Sequence, residues 1–152
     1  MIETAKTETP MDIRALTPGY AVSPQIDLAD LPAIRAAGYA VVIDNRPDHE
    51  IPEPLQTEAM RAAAEAEGLV FVANPVIGGQ ITMDNVTAQA EAIGNAAGPV
   101  LAYCASSNRS SIVWALAHAG TVPVDELIAT PAKFGYQLEH LRPTLEQLAG
   151  EA

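Results

Sequence analysis

Three short apolar runs, Tyr39–Asp44, Leu69–Val72 and Val100–Tyr103, each follow an Ala-rich stretch of helical period that Gly38, Gly68 or the Gly98-Pro99 pair brings to a stop. This alternation constrains the chain more than any other feature. Strands buried on both faces and joined by helices build a mainly parallel central sheet flanked by helices, so the fold class is α/β. The helix ends are readable. Asp27 or Asp30 caps a first helix through Ala37, a second spans about Leu55 to Glu67, and Thr82 caps a third through Ala96. Tyr20–Val22 reads as a short edge strand. Asn45–Pro54, with three prolines, and Ala73–Ile81, with Pro75 and Gly78-Gly79, are loops. A helix from Ser110 to His118 ends at Gly120, and Val122–Leu148 reads as two or three short helices punctuated by Pro131 and Pro143.

The chain has 152 residues, 49% of them hydrophobic and 18% charged, which suits one domain over residues 12–150 behind a flexible tail at residues 1–11. No apolar run reaches membrane-spanning length, and no partnership with a membrane is expected. The lone Cys104 cannot form an internal disulfide, which makes a cytoplasmic location the expectation. The formal net charge is −11, and no basic cluster interrupts it, so nucleic acid is excluded as a partner. The same field opposes an anionic substrate at long range. Such a substrate must be small and held by local donors. His118 and His140 fall on helices without a third ligand at metal spacing, so neither a metal nor a cofactor is implied. Composition leaves the oligomeric state open.

Ligand sites in sheets of this kind lie beyond the carboxyl ends of the strands, where Asp44, Ala73–Ile81 and Cys104 all fall. Cys104 ends an apolar run five positions before Arg109, and a helix follows. Backbone N–H groups of Ala105, Ser106, Ser107 and Asn108, the positive helix end and the Arg109 guanidinium can then converge on one anion beside a reactive sulfur. Ser110 is placed to donate a hydrogen bond to that sulfur. Asp84 is the nearest upstream candidate for a general acid, although a carboxylate just inside a helix start also complements the dipole. Arg46 either meets the anionic substrate or pins its own loop through Asp48. Asp44 is either an acid raised by burial or a cap for the loop turn. His49 and Glu50 are expected in solvent, Trp114 in the core, and Tyr103 in the core or hydrogen-bonded beside the site.

Three segments carry a family resemblance: Leu16 to Ile26, Val42 to Asp48, and Tyr103 to Ser111 followed by Trp114-Ala115. In order and spacing they resemble the bacterial phosphatase-like domain also found fused to β-lactamase-like hydrolases, and the resemblance covers roughly Asp12 to Leu148. It implies a protein-tyrosine-phosphatase-like fold, with Cys104 as the nucleophile and Arg109 as the oxyanion-binding arginine. The loop departs from the family's usual Cys-Arg-Ser-Gly-Thr-Arg-Ser, because Ala105, Ser107 and Asn108 stand where Arg, Gly and Thr are usual. Loss of the glycine strains any residue that takes positive φ, a region that Asn108 tolerates better than most. Phosphatases of this fold also place an acid where this chain has Asn74 to Gly79 and no carboxylate.

The leading functional expectation is a cysteine-dependent hydrolase that acts on a phosphate monoester through a thiophosphoryl-cysteine. Two others stay open. A sulfurtransferase would carry a persulfide on Cys104, taken from a sulfane sulfur donor; the four residues between Cys104 and Arg109 match many rhodanese-like loops, and this chemistry needs no acid. An anion-binding domain would keep the loop without turnover.

Overall fold

The computed structural model describes residues 12–77 and 80–150. The expected tail at residues 1–11 lies outside them, as does the Gly78-Gly79 pair. The strands are β1 (Arg14–Thr17), β2 (Tyr20–Ser23), β3 (Val41–Asp44), β4 (Val70–Ala73) and β5 (Val100–Tyr103). The helices are α1 (Leu31–Ala36), α2 (Thr57–Ala66), α3 (Met83–Gly94), α4 (Asn108–Ala117), α5 (Val124–Ala132) and α6 (Arg142–Gly150). The strands form one sheet in the order β1-β2-β5-β3-β4, parallel except for β1.

Strand β1 was not expected. It pairs antiparallel with β2 through the tight Pro18-Gly19 connection, with an irregularity between Ala15 and Thr17. Tyr20–Ser23 is therefore an interior strand rather than an edge, and all four of its residues are buried. Its parallel partner is β5, which leaves β1 and β4 as the sheet's edges.

Strand alternation sorts the core into two layers. Val41, Ile43, Val100 and Ala102 face one side with Tyr20 and Val22, packed against Trp114 of α4, Leu127 of α5 and Leu145 of α6. Val42, Leu101, Tyr103 and Ala21 face the other, under Leu31 and Ile34 of α1 and Met60 and Ala64 of α2. Each Leu, Ile or Met buried in this way is worth about 1.5–3 kcal/mol, which is why these short strands hold despite having four residues each.

Several helix ends shift for local reasons. Asp27 caps a 3-10 turn, Leu28–Asp30, and α1 proper starts after it with Pro32 in its first turn. Glu53–Leu55 forms another 3-10 turn, so α2 begins at Thr57. Thr82 does cap α3, reciprocally with Asn85. Helix α4 starts at Asn108, two residues earlier than expected, which puts Arg109 in its first turn. Pro131 lies inside α5 rather than between helices, near its last turn where one lost backbone bond matters least. None of the helices among the described residues is long and apolar enough to cross a membrane.

Candidate active site

Strand β5 delivers Cys104 to the carboxyl end of the sheet, where its N–H donates to the Ser23 carbonyl at 3.3 Å. The chain then turns through Ala105, Ser106 and Ser107 into α4. Cys104 is fully buried at the base of this turn, and Ala105, Ser106 and Asn108 are exposed at its rim. Ser107 takes φ 78°, ψ −9°, and is the one non-glycine residue with positive φ among those described. The strain foreseen from the loss of the family's glycine thus falls on Ser107, the residue standing in its place. Its carbonyl accepts both the N–H (3.0 Å) and the hydroxyl (2.9 Å) of Ser111, which locks the turn from within α4. The Ser107 hydroxyl itself is buried and has no partner among the described residues.

As the N-cap of α4, Ser107 makes no side-chain cap. Among the described residues, no backbone carbonyl or side chain accepts from the N–H groups of Ala105, Ser106, Ser107, Arg109 or Ser110. These donors sit at the positive end of a ten-residue helix, a combination that suits an anion.

The Arg109 guanidinium is fixed from one edge. Its Nη1 and Nη2 donate to the two carboxylate oxygens of Glu50 at 2.9 and 2.7 Å, and Nη1 also donates to the Val76 carbonyl at 2.8 Å. Three of five N–H donors are spent. The remaining Nε–H and Nη2–H are parallel and lie along the adjacent Nε/Nη2 edge, a fork that binds phosphate or carboxylate bidentately. Hydrogen bonding to Glu50 raises the Arg109 pKa, with a smaller contribution from the neighbouring Cys104 sulfur, and holds Glu50 below the usual carboxylate range. Glu50 is therefore not in free solvent, contrary to expectation.

Compared with known families, residues 12–121 match the phosphatase-like domain of beta-lactamase hydrolase-like proteins. The chain belongs to this family. It is 35% identical over 114 residues to a beta-lactamase hydrolase-like protein of Xylella fastidiosa, covering 74% of this chain but 26% of that protein, so the chain spans about a quarter of the relative's length. A candidate phosphatase from Neisseria meningitidis, solved by crystallography, is 34% identical with a TM-score of 0.76 over 91% of this chain and 99% of its own. A kinase-associated phosphatase bearing a Cys-to-Ser substitution at its catalytic cysteine shares the fold at 13% identity, with a TM-score of 0.73 over 95% of this chain and 97% of that one. The fold is protein-tyrosine-phosphatase-like.

The remaining sequence candidates of this phosphatase-like domain sort by what they touch. Ser110, the third residue of α4, is buried, and its hydroxyl donates to Asn45 Oδ1 at 3.0 Å. That single proton is committed to Asn45, so the expected bond from Ser110 to the sulfur is not made. Asp84 is exposed in the first turn of α3 without a hydrogen bond or ion pair to any described residue, and the helix-dipole role is the one its position fits. Arg46 holds its own loop rather than facing the sulfur: Nη1 donates to Gln25 at 3.1 Å, Nη2 to the Glu50 carbonyl at 2.9 Å, and Nε lies 3.5 Å from the Glu50 carboxylate. Its anchor is Glu50, not Asp48, whose carboxylate accepts instead from Thr57.

Asp44 caps the turn after β3. One oxygen accepts from the Arg46 N–H at 2.9 Å and the other lies 3.1 Å from the Thr57 hydroxyl. Burial pushes its pKa up, and burial with the adjacent Asp44 pushes the Tyr103 phenol up as well. Asp44 and Tyr103 are register partners across β3 and β5.

Sequence reasoning missed a buried polar cluster behind the loop. Asn45 donates to Gln89 (2.9 Å) and to the Asn74 carbonyl (2.9 Å), while its own oxygen accepts from Ser110 and Gln89. Gln89 donates to the Tyr20 hydroxyl, which in turn donates to the Ser110 carbonyl at 2.9 Å. The first turn of α4 is thus tied to β2, β3, β4 and α3. Two signals were available: Asn45 and Asn74 each directly follow a strand, and Gln89 sits three residues after Val86 on the buried face of α3. On the outer side, Pro47, His49, Thr57, Pro75 and Ile77 line an open groove of about 410 Å³, flanking Glu50 and Val76 in sequence.

Proposed function

We propose that this domain is a cysteine-dependent phosphatase acting on a small phosphate monoester, with residues 12–150 as its catalytic unit. One observation carries the reading: Arg109 is clamped along its Nη1/Nη2 edge by Glu50 and leaves its other edge, with five loop and helix N–H groups, available beside Cys104. Local donors of this kind are what a chain of net charge −11 needs to hold a dianion.

In this reading the Cys104 sulfur attacks phosphorus, and the bond to the leaving oxygen breaks with that oxygen taking the electron pair. The thiophosphoryl-cysteine is then attacked by water, and sulfur departs as thiolate with phosphate released. Charge on the equatorial oxygens is met by Nε–H and Nη2–H of Arg109 and by the amides of Ala105, Ser106, Ser107 and Arg109. These donors are in place before reaction, which is where electrostatic catalysis gains most. Arg46 acts through Glu50, as a positioning residue. The buried cluster through Asn45 fixes the first turn of α4.

An aryl phosphate assay of wild type and Cys104→Ser tests the proposal, with thiosulfate plus cyanide run in parallel. Hydrolysis abolished by Cys104→Ser supports it. Thiocyanate formation without phosphate release selects persulfide transfer instead, and neither activity from a folded protein selects a binding role.

A further inference from the structure

We infer that this site hydrolyses phosphate esters or anhydrides whose leaving group departs as a stable anion, such as acyl phosphates and phosphates of acidic phenols, and turns over alkyl phosphates poorly. The inference rests on the phosphatase reading above and concerns how the leaving oxygen is treated. An alkoxide must be protonated as it departs, and a positioned general acid supplies about 10²–10⁴-fold of rate for that purpose.

The carboxylates on the loops at this end of the sheet are accounted for one by one. Glu50 has both oxygens on Arg109 and is held in its charged form by it. Asp48 accepts from the Thr57 N–H at 2.8 Å and its hydroxyl at 2.7 Å. Asp27 accepts from Ala29 in a cap. Glu53 is exposed at the start of its 3-10 turn, Asp84 is exposed on α3, and Glu58, in the first turn of α2 at the groove, lies 3.7 Å from Arg61 Nε. Asp44 is 1% exposed beneath the Arg46 turn.

The loop after β4, which reaches Arg109 through the Val76 carbonyl, reads Asn74-Pro-Val-Ile-Gly-Gly-Gln-Ile-Thr82 and carries no acid. Its exposed side chain nearest Val76 is Ile77, 46% accessible, which with Pro75 and Pro47 offers an apolar wall to an aryl or acyl group. The P–O bond therefore breaks with the electron pair leaving on oxygen and no proton delivered to it. Water supplies the protons of the phosphate released in the second step.

The test is a pre-steady-state series on the intact chain, in which release of the leaving group is timed for aryl phosphates of graded phenol acidity, acetyl phosphate and one alkyl phosphate. Wild type, Cys104→Ser, Asp84→Asn, Glu58→Gln and His49→Gln are compared, the last two because Glu58 and His49, with the Thr57-bonded Asp48, are the titratable side chains lining the groove. Expected is a steep loss of rate as the leaving group becomes more basic, with the alkyl ester at least about 10²-fold below the acidic aryl esters, and the same dependence in Asp84→Asn, Glu58→Gln and His49→Gln. A flat dependence, or one that steepens in any of these three variants, overturns the inference while leaving a Cys104-dependent phosphatase standing. Release that Cys104→Ser does not abolish overturns both.

Discussion

Replacing Ser107 by glycine should stabilise the protein and leave the loop competent. Ser107 holds φ 78°, a region that places an L-residue's Cβ against the carbonyl and costs about 1–2 kcal/mol. Its hydroxyl is buried without a partner, and an unsatisfied buried polar group costs about 1–3 kcal/mol. Glycine removes both penalties. Against them stands the greater freedom of glycine in the unfolded chain, about 0.5–1 kcal/mol. The net is a gain of about 1–4 kcal/mol, which for a chain of this size raises Tm by about 2–4 °C per kcal/mol. Chemical denaturation of wild type and Ser107→Gly, with Ser107→Ala as a control that deletes the hydroxyl and keeps the strain, measures the two contributions separately. Ser107→Ala should recover the hydroxyl part alone. A Ser107→Gly protein less stable than wild type would refute the reasoning, because it would mean that the turn is held by something other than the Ser111 bonds to a strained backbone.

Glu50→Gln removes the charge that orients Arg109; kcat/KM on an aryl phosphate is expected to fall by about 10–100-fold, with stability changed far less, as kinetics beside thermal melting will show. Arg109→Lys loses the planar fork and should lower kcat by about 10²-fold or more, since a point charge cannot occupy both positions along the free edge. Asn45→Ala strips partners from Ser110 and Gln89 at once and should destabilise by about 2–4 kcal/mol in urea unfolding. The carboxylates have opposite pH signatures. Glu50, lowered by Arg109, contributes stability that is present above its ordinary pKa and is lost as pH falls through the lowered value in the fold. Asp44, raised by burial, is penalised when charged, so its share of stability grows as pH falls through the raised value. Tm against pH should therefore show Asp44→Asn gaining over wild type near neutrality and losing that advantage in acid.

The sheet was legible because β3, β4 and β5 are continuous apolar runs bounded by glycine stops; burial on both faces explains the pattern for β3 and β5, while β4 is a sheet edge with Val70 exposed. Strand β1 was not: Arg14–Thr17 buries one residue, Leu16, in four positions, too few for period two to stand out. The sulfur and Arg109 were found from spacing, since both lie on one loop. Glu50 was missed because its role depends on β3 and β5 being adjacent, a long-range fact that no local pattern encodes. Ser110 was assigned to the sulfur by nearness in sequence, whereas for Asp84 the helix-dipole role was already one of its two readings. Ser110 points back into the Asn45 cluster, and Asp84 serves its helix start. The strain was legible as well, since Ser107 stands where the family's glycine is usual and is the residue that takes positive φ.

The central claim is that Cys104, the loop amides and the free edge of Arg109 form one oxyanion cradle. A crystal structure of the wild-type protein with orthovanadate tests it most directly. The expected result is vanadium in line with Cys104 Sγ, its equatorial oxygens held by successive N–H groups from Ala105 to Ser110 and by Nε and Nη2 of Arg109, with Glu50 still on the Nη1/Nη2 edge. A sulfur left sealed in its pocket, with vanadate absent from the loop or bound away from Arg109, would contradict it.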